Sequence, residues 1–188
     1  MTDILPEIEK RRARRAIRPE RIPAEVVERL LRAATLAPSC FNYQPWRFLV
    51  VEEEQALQKV RAHLAEGNYW AKKSPLLVLV LTKPDLDCRS DDRREYAIFD
   101  VGQATGYLTL QATREGLIAH PIAGFKPIPI KTDLGVPEDY ILVTLVVIGL
   151  PGDESVLNEK HLAQEHGERS RKSLEEVVMR NRWRPPSS

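Results

Sequence analysis

Apolar residues recur at helical spacing over residues 24–37, where Val27, Leu30, Leu31 and Ala34 share a face, Glu25 sits in the first turn and Pro23 opens the segment. A second, longer pattern of this kind runs over 96–115, with Ile98, Val101, Ala104, Leu108 and Ala112 on its apolar side and Gly116 placed to cap it. Two strongly apolar runs, 76–82 and 141–148, are too short for membrane spans and predict strands, the first without polar interruption and so central and buried on both faces. A shorter strand is expected at 48–51, followed by a polar-faced helix over 52–65 ended by Gly67. Residues 4–18 predict a first helix, 83–94 a charged loop, Pro121 and Gly124 a turn, and 126–137 an irregular or short helical stretch. From 153 onward the chain is charged and poor in large apolar residues, so it is expected to wrap the domain or a partner subunit, with one short helix over 174–180.

The first of these helical patterns stops at Pro38 and gives way to Ser39, Cys40, Phe41, Asn42, Tyr43 and Gln44 before Pro45 and Trp46. Prolines at both ends make this a stiff loop, because each disfavours helical geometry in the residue before it. Hydroxyl and amide groups among flat rings suit a planar heteroaromatic ligand, although an ordinary helix-to-strand loop has the same composition.

At 188 residues the chain is expected to form one domain, residues 1–188, with a substantial core. The net charge of +1 gives no overall attraction to nucleic acid or an anionic membrane, so local clusters must carry any such role. Cys40 and Cys88 form neither a closely spaced metal pair nor a disulfide framework, which points to small packed residues and a reduced cytosol. The acidic N-terminus has no long apolar run, and a soluble intracellular protein without a signal peptide is expected. No nucleophile-elbow serine motif, Walker-type phosphate loop or dinucleotide-binding glycine fingerprint is present. The four histidines are scattered, and His161 and His166 would not share a helix face, so no metal site is expected.

The strongest charge feature is the basic run from Lys10 to Arg18, in which Arg11, Arg15 and Arg18 would line one face of a helix. A solvated face, a nucleic-acid patch and a phosphate clamp all remain open for it. A second cluster, Arg169, Arg171 and Lys172, lies near the opposite end of the chain, and two compact clusters suit one dianionic phosphate better than an extended polyanion.

Four segments, in order, resemble the nitroreductase family of flavin-dependent oxidoreductases: 11–15 (Arg-Arg-Ala-Arg-Arg), 37–46 (Ala-Pro-Ser-Cys-Phe-Asn-Tyr-Gln-Pro-Trp), 100–125 and 171–178 (Arg-Lys-Ser-Leu-Glu-Glu-Val-Val). The resemblance implies an α+β fold with a central, mostly antiparallel sheet flanked by helices, and an intertwined homodimer that binds FMN at the subunit interface. By position, Arg11, Arg12, Ala13 and Arg15, with Arg169 and Arg171, would hold the phosphate and ribityl chain. Pro38, Ser39, Cys40 and Asn42 would come from the other subunit, and Pro121, Ile122 and Gly124 would line the flavin ring. Lys73, or its neighbour Lys72, would reach the pyrimidine side. The implied reaction is ping-pong hydride transfer from NAD(P)H through FMN to a nitroaromatic, quinone or related acceptor, with no side-chain nucleophile. Reductive dehalogenation or flavin fragmentation on the same fold, and a non-enzymatic nucleic-acid-binding module, are the alternatives. Ala13 replaces the family's usual serine, and Ala123 stands where some members have glutamate, which leaves donor and substrate preference open.

Overall fold

The computed structural model describes residues 3–89, 92 and 94–184; part of the expected charged loop (90, 91 and 93) and the last four residues of the expected C-terminal extension lie outside these. The fold is built on the two apolar runs. Strand β3 (Leu76–Thr82) lies between β2 (Arg47–Val51) and β5 (Ile141–Pro151), antiparallel to both. The other edge of β5 takes β4 (Ile118–Ile122) along Leu145–Gly149, and beyond the end of β3 the two-residue β1 (Ile17–Arg18) pairs with β5 at Leu150–Pro151. Every pairing is antiparallel, as expected for this α+β class.

Because side chains alternate along a strand, β3 feeds two cores. Leu77, Leu79 and Leu81 pack on one side with Val60 of α3 (Glu54–Arg61), Ile130 of α5 (Pro127–Asp133) and Trp70. Leu76, Val78 and Val80 pack on the other against α2 (Ala24–Thr35) and α4 (Tyr96–Arg114), through Leu30, Ala34, Val101, Ala104 and Leu108. Each such side chain contributes roughly 1.5–3 kcal/mol when fully buried. Helix α4 ends at Gly116, whose φ of 74° is the left-handed geometry a glycine terminator supplies.

Several expectations fail at the chain's margins. The helix predicted for 4–18 is only α1 (Pro6–Lys10); residues 11–16 run extended into β1. Stacking Arg11, Arg15 and Arg18 on one helix face would set like charges against one another, and the extended form instead lets the backbone pair with β5. Gly152 makes room for this, since a Cβ there would lie 2.7 Å from Arg18 N and 2.8 Å from Ile17 C, and its N–H donates to Ala16 O at 2.8 Å. Gly67 does not end α3; the helix stops at Arg61, and a 3₁₀ stretch covers Glu66–Lys73. Pro121 stands inside β4, not in a turn. The tail folds back on its own chain through α6 (Glu159–His166), a helix the sequence pattern did not predict; beyond it the short α7 (Leu174–Val177) is exposed, covering only the first part of the helix expected over 174–180. Among the described residues no helix is long and apolar enough to cross a membrane.

Candidate functional site

The extended arm and the segment after α6 meet to form a cavity of about 220 Å³, lined by Arg11, Arg12, Ala13, Arg15, Arg169 and Arg171 with Gln164, Glu168 and Ser170. The two arginine clusters, some 155 residues apart in sequence, thus face one space, with Glu168 its one acidic lining residue. Burial, and then the charges of Arg169, Arg171 and Arg12, push the Arg11 guanidinium below its ordinary pKa. Such crowding of cations favours an anion in the cavity.

The arginines divide by what they touch. Arg12 Nη2 donates to Gly167 O, and Arg169 donates to the carbonyls of Ile8, Glu9 and Arg11, so these two tie the arm to the C-terminal segment. Arg171 donates only to its neighbour Ser170 O, and Arg15 makes a long 3.4 Å contact to Ala13 O, which leaves most of their donors for a ligand. The arm itself is held by Glu165, 3% exposed, whose Oε1 accepts from Arg15 N at 2.6 Å and whose Oε2 lies 3.7 Å from Arg14 Nη1.

Glu165 is positioned in turn by α6. Asn158 caps that helix by accepting from His161 N, and Tyr69 Oη accepts from Asn158 N at 2.8 Å. The Tyr69 ring stacks on His161, with centroids 5.4 Å apart. Burial, then the nearby cations Arg15 and Lys160, lower the His161 pKa. On the other side of the arm, His120 Nδ1 lies 3.0 Å from Arg14 O and the ring packs against Trp70. Burial there pulls the His120 pKa down to about 4, so the neutral ring donates to that carbonyl.

This contact brings β4 alongside the arm, and Pro121 follows it with an exposed ring. The Ile122 side chain is 5% exposed and belongs to the core, so only its backbone can face a ligand. Gly124 O accepts from Asn68 Nδ2 and from Ala65 N. Lys73 lines a different cavity, with Arg21, Glu52 and Arg61, and is not brought to the arginines.

Pro38, Ser39, Cys40 and Asn42 do not line the arginine cavity of their own chain either. Their loop contains the 3₁₀ turn Cys40–Asn42, with Phe41, Asn42 and Gln44 all at positive φ. Ser39 Oγ accepts from Gln44 N, and Cys40 N donates to Oδ2 of Asp100, which is 1% exposed on α4. Trp46, expected to offer a ring to a ligand, is instead buried against the α2–α4 side of the sheet. Phe41 is 87% exposed. Cys40 is bonded to Cys88, which overturns the expectation of two unlinked small residues: positions 48 apart in sequence are brought together where the 83–89 segment passes under the loop.

The family model of the nitroreductase family matches residues 8–69 and 65–150, more than half of the chain. The chain belongs to the nitroreductase family. An NADH dehydrogenase of Thermus thermophilus is 30% identical over 175 residues, covering 77% of this chain and 85% of that protein. An iodotyrosine deiodinase of Thermotoga neapolitana is 27% identical, with coverage of 77% and 86%. A solved structure described as an oxidoreductase containing FMN superposes with a TM-score of 0.86 at 28% identity, covering 98% of this chain and 94% of that one. Membership accounts for the sheet. Glu165, Asp100 and His120 were not singled out as site residues from sequence, and of these only Asp100, a carboxylate in the apolar stripe of a predicted helix, left a signal that could have been read.

Proposed function

We propose that this nitroreductase-family protein is an FMN-dependent oxidoreductase that uses NAD(P)H to reduce nitroaromatic, quinone or related electron-poor acceptors. The observation that carries the reading is the cavity in which guanidinium groups from both ends of the chain converge on a space suited to a phosphate. Arg11, Arg15 and Arg171 would hold the phosphate, while Arg12 and Arg169 keep the arm closed around it. Ala13 offers backbone alone, and Pro121, Ile122 and Gly124 would border the ring through the adjoining β4 segment. FMN, when bound, supplies the ring that accepts hydride from the donor and passes it to the acceptor. The protein's contribution is to bind and orient, so no side-chain nucleophile is required.

The Pro38–Asn42 loop would serve the cofactor of a neighbouring subunit in a homodimer. Lys73, in its separate cavity, has less support than the arginines as a flavin contact. The compartment that fits this chemistry is the cytoplasm, where nicotinamide donors and thiol reductants are both plentiful. Reductive dehalogenation is the second reading, favoured by the iodotyrosine deiodinase relative.

The test begins with the purified protein, which is expected to be yellow and to release FMN on heating. NAD(P)H oxidation should accelerate with a nitroaromatic or quinone; iodide release from an iodinated phenol, with no such acceleration, would favour the second reading. Arg15→Ala and Arg171→Ala should each weaken FMN binding about tenfold to a hundredfold, as expected for a lost charge-assisted hydrogen bond. Undiminished flavin occupancy in both variants would remove the phosphate clamp.

A further inference from the structure

The Cys40–Cys88 bridge joins the loop assigned to flavin binding to a segment that otherwise has no part in the site, and it does so beside a buried carboxyl pair. Asp87 is 7% exposed; its Oδ1 accepts from Cys88 N at 2.7 Å, and its Oδ2 is buried with no hydrogen-bond partner. Reactive atoms of Cys40, Cys88 and Asp87 all lie within 4.8 Å of one another. Asp100, on the far side, holds the backbone of Cys40. Desolvation, and then the neighbouring Asp100, raise the Asp87 pKa above the ordinary carboxylate value. Cys88 also lines an open cavity of about 330 Å³ with Arg89, Arg94 and Tyr96, and both cysteines are half-buried.

We propose that this bridge is a thiol–disulfide exchange site for dithiol reductants, and that opening it releases the 38–44 loop from its flavin-binding shape. One thiolate of the dithiol enters the cavity and bonds to Cys88 Sγ, the Sγ–Sγ bond breaks, and its electron pair leaves on Cys40 Sγ. Cys40 takes a proton from Asp87, which regains one from the dithiol. The reductant's second sulfur, now a thiolate, then attacks the first and releases Cys88 Sγ, which takes from solvent the proton that the first thiol gave up. The dithiol ends as a disulfide, and the protein as two thiols, with two electrons and two protons transferred. Without the covalent tie, the loop keeps the Asp100 contact, the Arg47 bond to Gln44 O and its internal bonds, and the three turn residues at positive φ, Phe41, Asn42 and Gln44, can relax.

The consequence for flavin rests on the function proposed above, so the test reads the loop both with and without the cofactor. The 188-residue chain, which has two cysteines, Cys40 and Cys88, is treated with dithiothreitol, quenched, alkylated with iodoacetamide and weighed. No alkylation is expected before reduction and two after, with the far-UV spectrum unchanged. Chymotrypsin cleavage at Phe41 and Tyr43, exposed in the single chain and shielded where the oxidised loop docks on a partner, should rise about tenfold on reduction, and FMN affinity should fall by a similar factor. Cys88→Ser should show the reduced behaviour with or without dithiothreitol. Asp87→Asn should slow reduction about tenfold while leaving the cleavage rate of the oxidised protein unchanged.

Two alkylations with cleavage and FMN affinity both unchanged would overturn the proposal, as would full alkylation of protein pretreated with the thiol oxidant diamide. A protein that binds no FMN in either state would overturn the function proposed above; the cleavage rates would then decide the fate of the loop by themselves.

Discussion

The His120 imidazole is held neutral between the arm and Trp70, with a pKa near 4 against about 6.5 in the unfolded chain. Between those values the unfolded chain takes up a proton here and the folded chain does not. Stability therefore falls as pH drops from 6.5 and levels off below about 4. Allowing for partial exposure, the effect is on the order of 1–2 kcal/mol. His120→Asn, which keeps a donor for Arg14 O but cannot titrate, should flatten this slope in urea unfolding series between pH 7 and 4.5; an unchanged slope would remove the assignment. Glu165 is the complementary case, a buried carboxylate that satisfies the arm. Glu165→Ala leaves Arg15 N without its acceptor and should cost about 1–3 kcal/mol while lowering FMN affinity, both read on one preparation by denaturation and flavin titration. Neither residue stood out in the sequence, since their importance lies in partners 106 and 150 positions away.

At the level of elements, α2, α4, β3 and β5 were legible because each buries a face or a whole strand, and burial imposes a period on the sequence. Strand β4 was not. It is five residues long, carries His120 and Pro121 in its middle, and is a strand because the free edge of β5 accepts it. Helix α6 was hidden for a related reason: its two buried residues are His161 and Glu165, polar types that no apolar pattern registers. The arginine arm was misread as helix since local propensity favours it, whereas pairing with β5 prevails. That pairing depends on close backbone approach at Gly152. Gly152→Val should therefore lift the arm, weaken FMN binding and lower the unfolding midpoint, with the core helices retained by circular dichroism. Wild-type flavin affinity in this variant would mean that the arm's seat on β5 does not position the arginines.

For the whole molecule, the two halves of the expected site do not meet within one chain: the arginine cavity is complete without the Pro38–Asn42 loop. The sequence resemblance named both segments but could not say how far apart one chain would leave them. An apolar surface lies near that loop and along α4, with Leu36 74%, Phe41 87%, Phe99 57% and Tyr107 43% exposed. Leu36 and Tyr107 also line a cavity of about 350 Å³ with Leu5, Ala33 and Leu110. Large exposed apolar side chains suit a partner surface, and a stable dimer needs roughly 800 Å² from each partner. A second copy docked here would cover these side chains and carry the loop toward the other subunit's arginines. Leu36→Glu changes a residue whose side chain is exposed in the single chain, so the fold should survive while the pairing is lost. Light scattering after gel filtration should show wild-type dimer and variant monomer, and the variant should lose FMN together with its partner. A monomeric variant that keeps wild-type flavin affinity would show that one chain holds the cofactor alone, and would remove the Pro38–Asn42 loop from the site.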